Sequence, residues 1–243
     1  MFPIGDQNEP GYGPAWVTLS LIAINVAVFL FFQAAGQNDV FTYGWSAVPL
    51  EITTGQDLVG TVPIVVGGQT YGLPQEPGPV PIYLTLLSSM FMHAGWLHLG
   101  GNMLFLWIFG DNVEHRAGPI AYLVAYLAAG LIGSLAQILR DPTSPIPTLG
   151  ASGAISGVLG AYIVLFPGNR VTVFLFRFLV VVPAVVAIGI WIVFQLISGV
   201  GSSVVSQQSG GVAYLAHIGG FAAGVVTGLV FRAMPHRPPR GFR

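Results

Sequence analysis

The chain has 243 residues, of which 53% are hydrophobic and only 7% are charged, and its formal net charge is −1. A soluble domain usually carries about 25% charged residues, so this composition excludes an ordinary soluble protein and predicts an integral membrane protein. A sequence without cysteine excludes disulfides, thiolate catalysis and cysteine-ligated metals, and the lack of a basic stripe argues against a nucleic-acid partner.

Six apolar segments predict an all-α membrane protein built as one six-helix bundle. Residues 1–14 form a polar N-terminus, residues 15–233 form the predicted helical domain, and residues 234–243 form a basic tail. The predicted spans are residues 16–32, 82–109, 120–139, 151–166, 178–197 and 212–231. The fourth span is short, because about 20 residues are needed to cross the hydrocarbon core. A signal peptide is the alternative for the first segment, but no Lys or Arg precedes it.

A long loop, from about residue 35 to residue 80, separates the first two predicted spans. Within it, residues 62–66 and 69–71 flank a Gly67-Gly68 pair, a pattern that predicts a small β-hairpin. Loops of this length are uncommon in compact domains and are often functional. We therefore expect this loop to be functional, although its residues do not indicate which role it has.

The arginines predict the orientation of the chain in the membrane. The sequence contains no lysine, and with six spans the two termini share a side. That side holds seven arginines, and Arg140 alone lies on the other. The seven are Arg116, Arg170, Arg177, Arg232, Arg237, Arg240 and Arg243. Because positive charge concentrates on the cytoplasmic side, both termini are predicted in the cytoplasm and the long loop outside.

Several polar side chains fall within the predicted spans, where each is costly and needs a reason. They are His93, His98 and Asn102 in the second span, Ser152 and Ser156 in the fourth, Gln195 in the fifth and His217 in the sixth. All nine acidic residues fall in predicted loops or termini. With a rise of about 1.5 Å per residue, His98, Ser152 and His217 are expected at similar heights in the outer half of the membrane.

These polar groups have complementary chemistry. Serine is a weak nucleophile without an adjacent base, and His217 is the natural base for Ser152. Because no acidic residue lies in a predicted span, a Ser–His dyad is expected rather than a triad. His98 and Asn102 are four residues apart on one helix face, so with the Ser152 backbone N–H they could donate to one oxyanion. Plain helix packing is the alternative explanation of the small residues 150–157.

Three motifs on predicted spans two, four and six together resemble the rhomboid family of intramembrane serine proteases. They are His98-Leu-Gly-Gly-Asn102, Gly150-Ala-Ser152-Gly153 and Ala216-His217-Ile-Gly-Gly220. The resemblance extends over essentially the whole chain. It implies Ser152 as the nucleophile, His217 as the general base and acid, and His98 and Asn102 as oxyanion donors. It also implies supporting roles for His93, Gly150 and Gly153.

The resemblance further implies an activity. The chain is expected to be a serine endopeptidase that cleaves transmembrane-helix substrates in the outer half of the bilayer through an acyl-enzyme, without metal or cofactor. Its expected partners are transmembrane protein substrates and the lipid bilayer, in a bacterial inner membrane. The alternative is a non-catalytic rhomboid-like protein that binds membrane helices. One departure is Ser156, which stands where some family members carry an aromatic residue that stacks on the histidine.

Overall fold

The computed structural model describes residues 2–8, 12–201 and 213–235, and within them the chain is mostly helical. The helices are α1 (Trp16–Ala27), α2 (Asp39–Gly44), α3 (Pro49–Thr54), α4 (Thr85–Ser88), α5 (Trp96–Ala117), α6 (Pro119–Arg140), α7 (Ser152–Leu165), α8 (Ala184–Gly201) and α9 (Tyr214–Ala233). The strands are β1 (Phe2–Asp6), β2 (Gly60–Val66), β3 (Gln69–Gln75), β4 (Arg170–Leu175) and β5 (Phe178–Pro183). Four single turns complete the elements, and they are the π-turn Val28–Phe32 and the 3₁₀ turns Ala34–Gly36, Ile82–Leu84 and Ser89–Phe91.

The chain is mostly helical, as predicted, but it also has two small antiparallel sheets, of which one was not predicted. One sheet has the strand order β1-β4-β5 and joins the N-terminus to the connection between α7 and α8. The other is the hairpin of β2 and β3, which confirms the hairpin predicted in the long loop. Its turn residues Gly67 and Gly68 have φ of 58° and 82°, the left-handed conformation that a tight hairpin turn requires.

The second predicted segment is not one continuous helix. Residues 82–91 form short turns around α4, and the long helix α5 begins only at Trp96. The interruption follows from Gln33, whose side chain accepts from the His93 backbone N–H and donates to the His93 carbonyl, both at 2.9 Å. A continuous helix would use the His93 N–H and carbonyl for its own backbone hydrogen bonds. His93 therefore lies in the connection before α5, and its placement in a span helix was wrong.

The fifth predicted segment also begins too early. Residues 178–183 form strand β5, which pairs with β4, and α8 starts at Ala184. The Leu-Val-Val-Val run within β5 is apolar enough to resemble a membrane helix by hydropathy. Its β-branched residues also favour an extended backbone once a neighbouring strand is available.

Two acidic residues, Asp111 and Glu114, lie inside α5, which corrects the prediction that every acidic side chain lies in a loop or terminus. Glu114 is 4% exposed and accepts hydrogen bonds from the backbone N–H groups of Val17 and Thr18, at 3.0 and 2.7 Å. Ala15, which precedes α1, has no side-chain oxygen to cap that helix. Glu114 therefore caps the N-terminus of α1, where free N–H groups and the helix dipole favour a negative charge.

The helices differ in how well they match a membrane span. Within the described residues, α6 and α9 are long and apolar enough to cross a bilayer. The shorter apolar helical stretches are Trp16–Phe32, Ile82–Phe91, Ser152–Leu165 and Ala184–Ser198. Helix α5 has 22 residues but carries three charged side chains near its end. The predicted short fourth helix is confirmed, because α7 has only 14 residues.

The N-terminus, the end of α5 and the end of α9 meet on one side of the helices. The Arg116 guanidinium donates to the carbonyls of Arg232 and Met234 at 3.2 and 2.9 Å. Asp6 of β1 accepts from Tyr162 of α7 and from Asn112 of α5. These contacts put Arg116, Arg232 and the strand β1 at the same end. The predicted tail arginines Arg237, Arg240 and Arg243, and residue 212 of the sixth segment, lie outside the described residues.

Helices α7 and α9 pack through glycines at the centre of the fold. A Cβ at Gly220 would lie 2.0 Å from the Gly153 carbonyl oxygen, and a Cβ at Gly224 would lie 1.9 Å from that of Gly157. Neither distance is possible for real atoms, so the two backbones can approach this closely only because α9 has no side chain there. This packing brings the first turns of the two helices together.

Replacing Gly224 with alanine should force α9 away from α7. Overpacking of this kind typically costs about 1–3 kcal/mol, which corresponds to about 2–4 °C of melting temperature per kcal/mol for a chain of this size. The measurement is thermal unfolding of the detergent-purified protein. The matched control is Gly189→Ala in α8, where no atom lies within 4 Å of the added Cβ. Equal melting temperatures for the two variants would contradict the close packing.

Candidate active site

Ser152 and His217 meet at the start of two neighbouring helices. Ser152 is the first residue of α7, and His217 lies in the first turn of α9. The His217 Nε2 lies 2.7 Å from the Ser152 Oγ, within hydrogen-bonding distance. His217 is 8% exposed, so little water competes for its ring nitrogens. A serine hydroxyl with an imidazole nitrogen at this distance is the arrangement that general-base activation of a nucleophile requires.

Helix α8 supplies two side chains around His217 that sequence reasoning did not connect with it. The Oε1 of Gln195 lies 2.9 Å from the His217 Nδ1, and Gln195 is itself buried. Trp191, one turn earlier, places its ring 5.9 Å from the imidazole, at an interplanar angle of 35°. The one signal in the sequence was the spacing of Trp191 and Gln195. They are four residues apart in a predicted helix, which places both side chains on one face.

Ser156 stands one turn after Ser152 and is a different kind of serine. Its hydroxyl donates to the Ser152 carbonyl at 2.6 Å, and the residue is 1% exposed. Such a bond back to the preceding turn is a common way for a helical serine to satisfy its hydroxyl. Position 156 therefore provides no aromatic ring for His217, and the ring beside the imidazole comes instead from Trp191 on α8.

His98 and Asn102 line the same cavity from α5. The Ala94 backbone N–H donates to the His98 Nδ1 at 3.3 Å, which leaves the proton of a neutral imidazole on Nε2. The Asn102 amide donates to the His98 carbonyl at 2.9 Å. The backbone N–H of Ser152 is one of the free N–H groups at the start of α7. His98, Asn102 and Ser152 thus bring N–H donors of different origin to one cavity.

Gly150 allows His98 to approach Ser152. It has φ of 131°, a conformation that side chains disfavour, and a Cβ there would lie 2.8 Å from the His98 Cε1 and 3.6 Å from the Ser152 Oγ. Both observations require glycine at this position. Gly153 is less constrained, because a Cβ there would meet its nearest atom, the Ala216 carbonyl oxygen, at an ordinary 3.5 Å.

His93 lies behind His98 rather than in the cavity wall. Its ring packs edge-on against the His98 ring, with centroids 5.1 Å apart, and it is 0% exposed. Neither ring nitrogen has a hydrogen-bond partner among the residues that the structure describes. His93 thus packs against His98, while Gln33 holds its backbone. Gln33 was missed in the sequence because it lies 60 residues away from its partner.

A cavity of about 670 Å³ surrounds the Ser152 hydroxyl. Its polar lining includes His98, Asn102, Ser152, Gln195 and His217. Part of the remaining wall is apolar and comes from α5, α7 and α8, and another part comes from the connection before α7. Within the described residues, no group of three or more His, Cys, Asp or Glu side chains could hold a metal ion.

The long loop between α1 and α5 holds the connection before α7 in place. The backbones of Ala47 and Thr148 exchange two hydrogen bonds, at 3.0 and 2.8 Å. The Leu50 N–H donates to the Ser144 carbonyl, and the Gln75 side chain donates to another carbonyl of the same connection. Because this connection lines the cavity and leads directly into Ser152, the long loop positions one wall of the site.

Glu51 should make the stability of this loop depend on pH. Burial raises the pKa of Glu51 from its usual 4.5 to about 7. The folded protein therefore binds more protons than the unfolded chain between pH 4.5 and 7, so stability should fall as pH rises through this window and level off above it. In Glu51→Gln the contribution of Glu51 should be lost, so melting temperature should fall less steeply with pH than in the wild type. The measurement is the melting temperature from pH 4.5 to 8. The exposed Asp39→Asn is the control, and an unchanged slope in Glu51→Gln would contradict the assignment.

The family model and three known proteins that match this chain all carry the rhomboid name. The sequence model of the Rhomboid domain matches residues 82–234, which is more than half of the chain. Rhomboid protein 1, mitochondrial, of Saccharomyces cerevisiae is 32% identical over 149 residues, covering 60% of this chain and 41% of that protein. Rhomboid protease GluP of Bacillus subtilis is 45% identical over 85 residues, covering 35% of this chain and 16% of that protein.

A third relative has the same pattern of partial coverage. The putative rhomboid protease YdcA of Bacillus subtilis is 32% identical over 78 residues, covering 32% of this chain and 39% of that protein. The matched part of the chain thus spans less than half of the length of each of these three relatives.

Proposed function

The chain belongs to the rhomboid family of integral membrane proteins, and on this premise we propose that it is an intramembrane serine endopeptidase. Its substrates are transmembrane helices, cleaved near the outer half of the bilayer. The single observation that carries the proposal is the 2.7 Å separation between the Ser152 Oγ and the His217 Nε2, inside a cavity and on helices that the family model covers. No cofactor or metal takes part.

The proposed reaction proceeds through an acyl-enzyme. The His217 Nε2 accepts the hydroxyl proton as the Ser152 Oγ attacks the scissile carbonyl carbon. The tetrahedral intermediate collapses when the protonated His217 gives its proton to the leaving amine. Water then enters, loses a proton to His217 and attacks the ester carbonyl. As the acyl–oxygen bond breaks, the protonated His217 returns its proton to the Ser152 Oγ, which restores the hydroxyl and the neutral base. This sequence needs an oxyanion site and room for a displaced peptide.

His98, Asn102 and the Ser152 backbone N–H are the proposed oxyanion donors. The Nε2–H of His98 is available because its Nδ1 already accepts the Ala94 N–H. The Asn102 side chain holds a local hydrogen bond to a carbonyl and has a second N–H to offer. Donors fixed on a helix cost little reorganisation as negative charge develops, and that is the physical basis of oxyanion stabilisation.

The proposed orientation places both termini in the cytoplasm of a bacterial cell, with the protein in the inner membrane as a six-span domain. It is supported by Arg116, Arg170 and Arg232, which lie where the ends of α5 and α9 and the paired strands β1 and β4 meet. Arg140 ends α6 on the other side, beside the connection that leads to Ser152. The positive-inside rule then assigns the Ser152 end to the outer half of the bilayer.

Cleavage by the purified wild-type protein tests the proposal. The assay uses a tagged transmembrane substrate with small residues near its outer end, in detergent and in liposomes, together with a fluorophosphonate whose site of attachment is mapped by mass spectrometry. We expect cleavage and labelling at Ser152. Labelling at Ser156 would contradict the assigned nucleophile. Binding of the substrate helix without cleavage or labelling would contradict the enzyme and support a non-catalytic rhomboid-like binding protein.

A further inference from the structure

Resting on the proposed function, we infer that Gln195 is a positioning residue for His217. Its side-chain carbonyl accepts the Nδ1–H of His217, and this bond keeps the opposite nitrogen, Nε2, free to accept the Ser152 proton. The two relevant contacts are 2.9 Å from the Gln195 Oε1 to Nδ1 and 2.7 Å from Nε2 to the Ser152 Oγ.

The chemistry of a neutral imidazole makes this contact decisive. A neutral imidazole carries one proton, so one ring nitrogen donates and the other accepts. A carbonyl oxygen can only accept, so a hydrogen bond to the Gln195 Oε1 requires the proton to be on Nδ1. Nε2 then has its lone pair directed at the serine hydroxyl. With the proton on Nε2 instead, His217 could not accept the Ser152 proton.

Few other groups around His217 could determine which ring nitrogen carries the proton. The imidazole is buried, and within the described residues the hydrogen-bond partners of its ring nitrogens are Ser152 and Gln195. Trp191, on the same face of α8 as Gln195, flanks the imidazole and limits its rotation. An uncharged amide thus holds the place at Nδ1 that an aspartate occupies in a Ser–His–Asp triad.

The location of Gln195 adds a structural condition for catalysis. Ser152 is on α7 and His217 is on α9, but the acceptor for Nδ1 comes from α8. The correctly protonated base therefore exists only while α8 lies against the first turn of α9. An outward displacement of α8 would remove both the Nδ1 acceptor and the Trp191 ring, and the base would lose its preferred tautomer.

The protonation of His217 can be read directly by ¹⁵N NMR of histidine-labelled protein in lipid nanodiscs. The chain contains only five histidines, and the spectrum of His217→Asn identifies the His217 signals. In the wild type, at a pH where the ring is neutral, we expect the proton on Nδ1. A wild-type ring protonated on Nε2 would overturn the inference, whatever any variant does.

Gln195→Met is the informative variant, because methionine keeps the length of the side chain and lacks the acceptor. We expect loss of the Nδ1–H preference and a fall in kcat of about tenfold to hundredfold, with little change in KM, as for other hydrogen bonds that orient a functional histidine. Val193→Met, on the exposed side of α8, is the matched control and should keep wild-type values. Retention of the Nδ1–H tautomer and of kcat in Gln195→Met would overturn the inference.

This design separates the inference from the proposed function. A wild-type protein that cleaves no substrate, yet has the Nδ1–H tautomer and loses it in Gln195→Met, would contradict the protease assignment and support the role of Gln195 in setting the tautomer. A wild-type protein that cleaves its substrate with the same kcat after Gln195→Met, at an unchanged tautomer, would support the protease and contradict the role of Gln195.

Discussion

Replacing Ser152 with alanine should lower the rate of transmembrane-substrate cleavage by at least about 10⁴-fold. In soluble serine proteases, loss of the nucleophile or of its histidine costs on the order of 10⁶ in kcat, because the two groups act as a unit. The short contact between the Ser152 Oγ and the His217 Nε2 makes the same dependence expected here. His217→Ala should therefore be as inactive as Ser152→Ala, and the double variant should lose no more.

Ser156→Ala is the matched control for this experiment. It also replaces a serine of α7 with alanine, one turn after Ser152. Ser156 is as deeply buried as its neighbours in this helix. The Ser156 hydroxyl is already committed to the Ser152 carbonyl at 2.6 Å. Cleavage should stay within a few-fold of the wild type. The measurement is product formation followed by gel and mass spectrometry, with melting temperatures to show that each variant is folded.

Three outcomes would contradict the first prediction in different ways. Full activity of Ser152→Ala would eliminate the proposed mechanism. Loss of activity in Ser156→Ala with activity retained in Ser152→Ala would keep a serine protease but transfer the nucleophile to Ser156. An active His217→Ala would require another base for the Ser152 hydroxyl.

Removing one oxyanion donor should have the second largest effect. We expect Asn102→Ala and His98→Ala each to lower kcat by about 10²–10³-fold, with a much smaller change in KM, because the donors act on charge that exists only in the transition state. Both side chains line the cavity that contains Ser152. The measurement is steady-state cleavage over a range of substrate concentrations.

His115→Ala is the control for the histidine variant. It lies on the same helix, α5, but at the far end, where its ring stacks on Tyr12 and contacts the Gly13 carbonyl. Its kcat should equal that of the wild type. If Asn102→Ala or His98→Ala raised KM and left kcat unchanged, the residue would bind substrate rather than stabilise an oxyanion, and the proposed donor role would be rejected.

The sequence motifs were sufficient to predict the family, which the domain match confirms. Their strength came from order and spacing, since His98 with Asn102, Ser152 with its glycines and His217 with Gly220 occupy three separate helices. The hairpin at Gly67-Gly68 was also predictable, because a tight turn with positive φ leaves a local signal in the residues themselves.

Helix boundaries were less predictable, because distant partners decide them. Apolar composition is the same in a membrane helix and in strand β5, and only the neighbouring strand β4 selects the extended form. The helix predicted to begin at residue 82 is interrupted at His93, whose backbone Gln33 binds across 60 residues. Likewise, Glu114 is buried in α5 because it caps α1, a contact that no local pattern encodes.

Composition and motif spacing are properties of the linear chain, and they were enough to predict a membrane protein with a serine, a histidine and a pair of polar residues on three different helices. The side chains that surround these residues depend instead on how the helices pack. Gln195 and Trp191 contact His217 because α8 packs beside α9. His98 can approach Ser152 because residue 150 is glycine. The positive φ of Gly150 and the nearby His98 ring both exclude a side chain at that position. Such contacts depend on where helices meet, and a linear pattern does not contain that information.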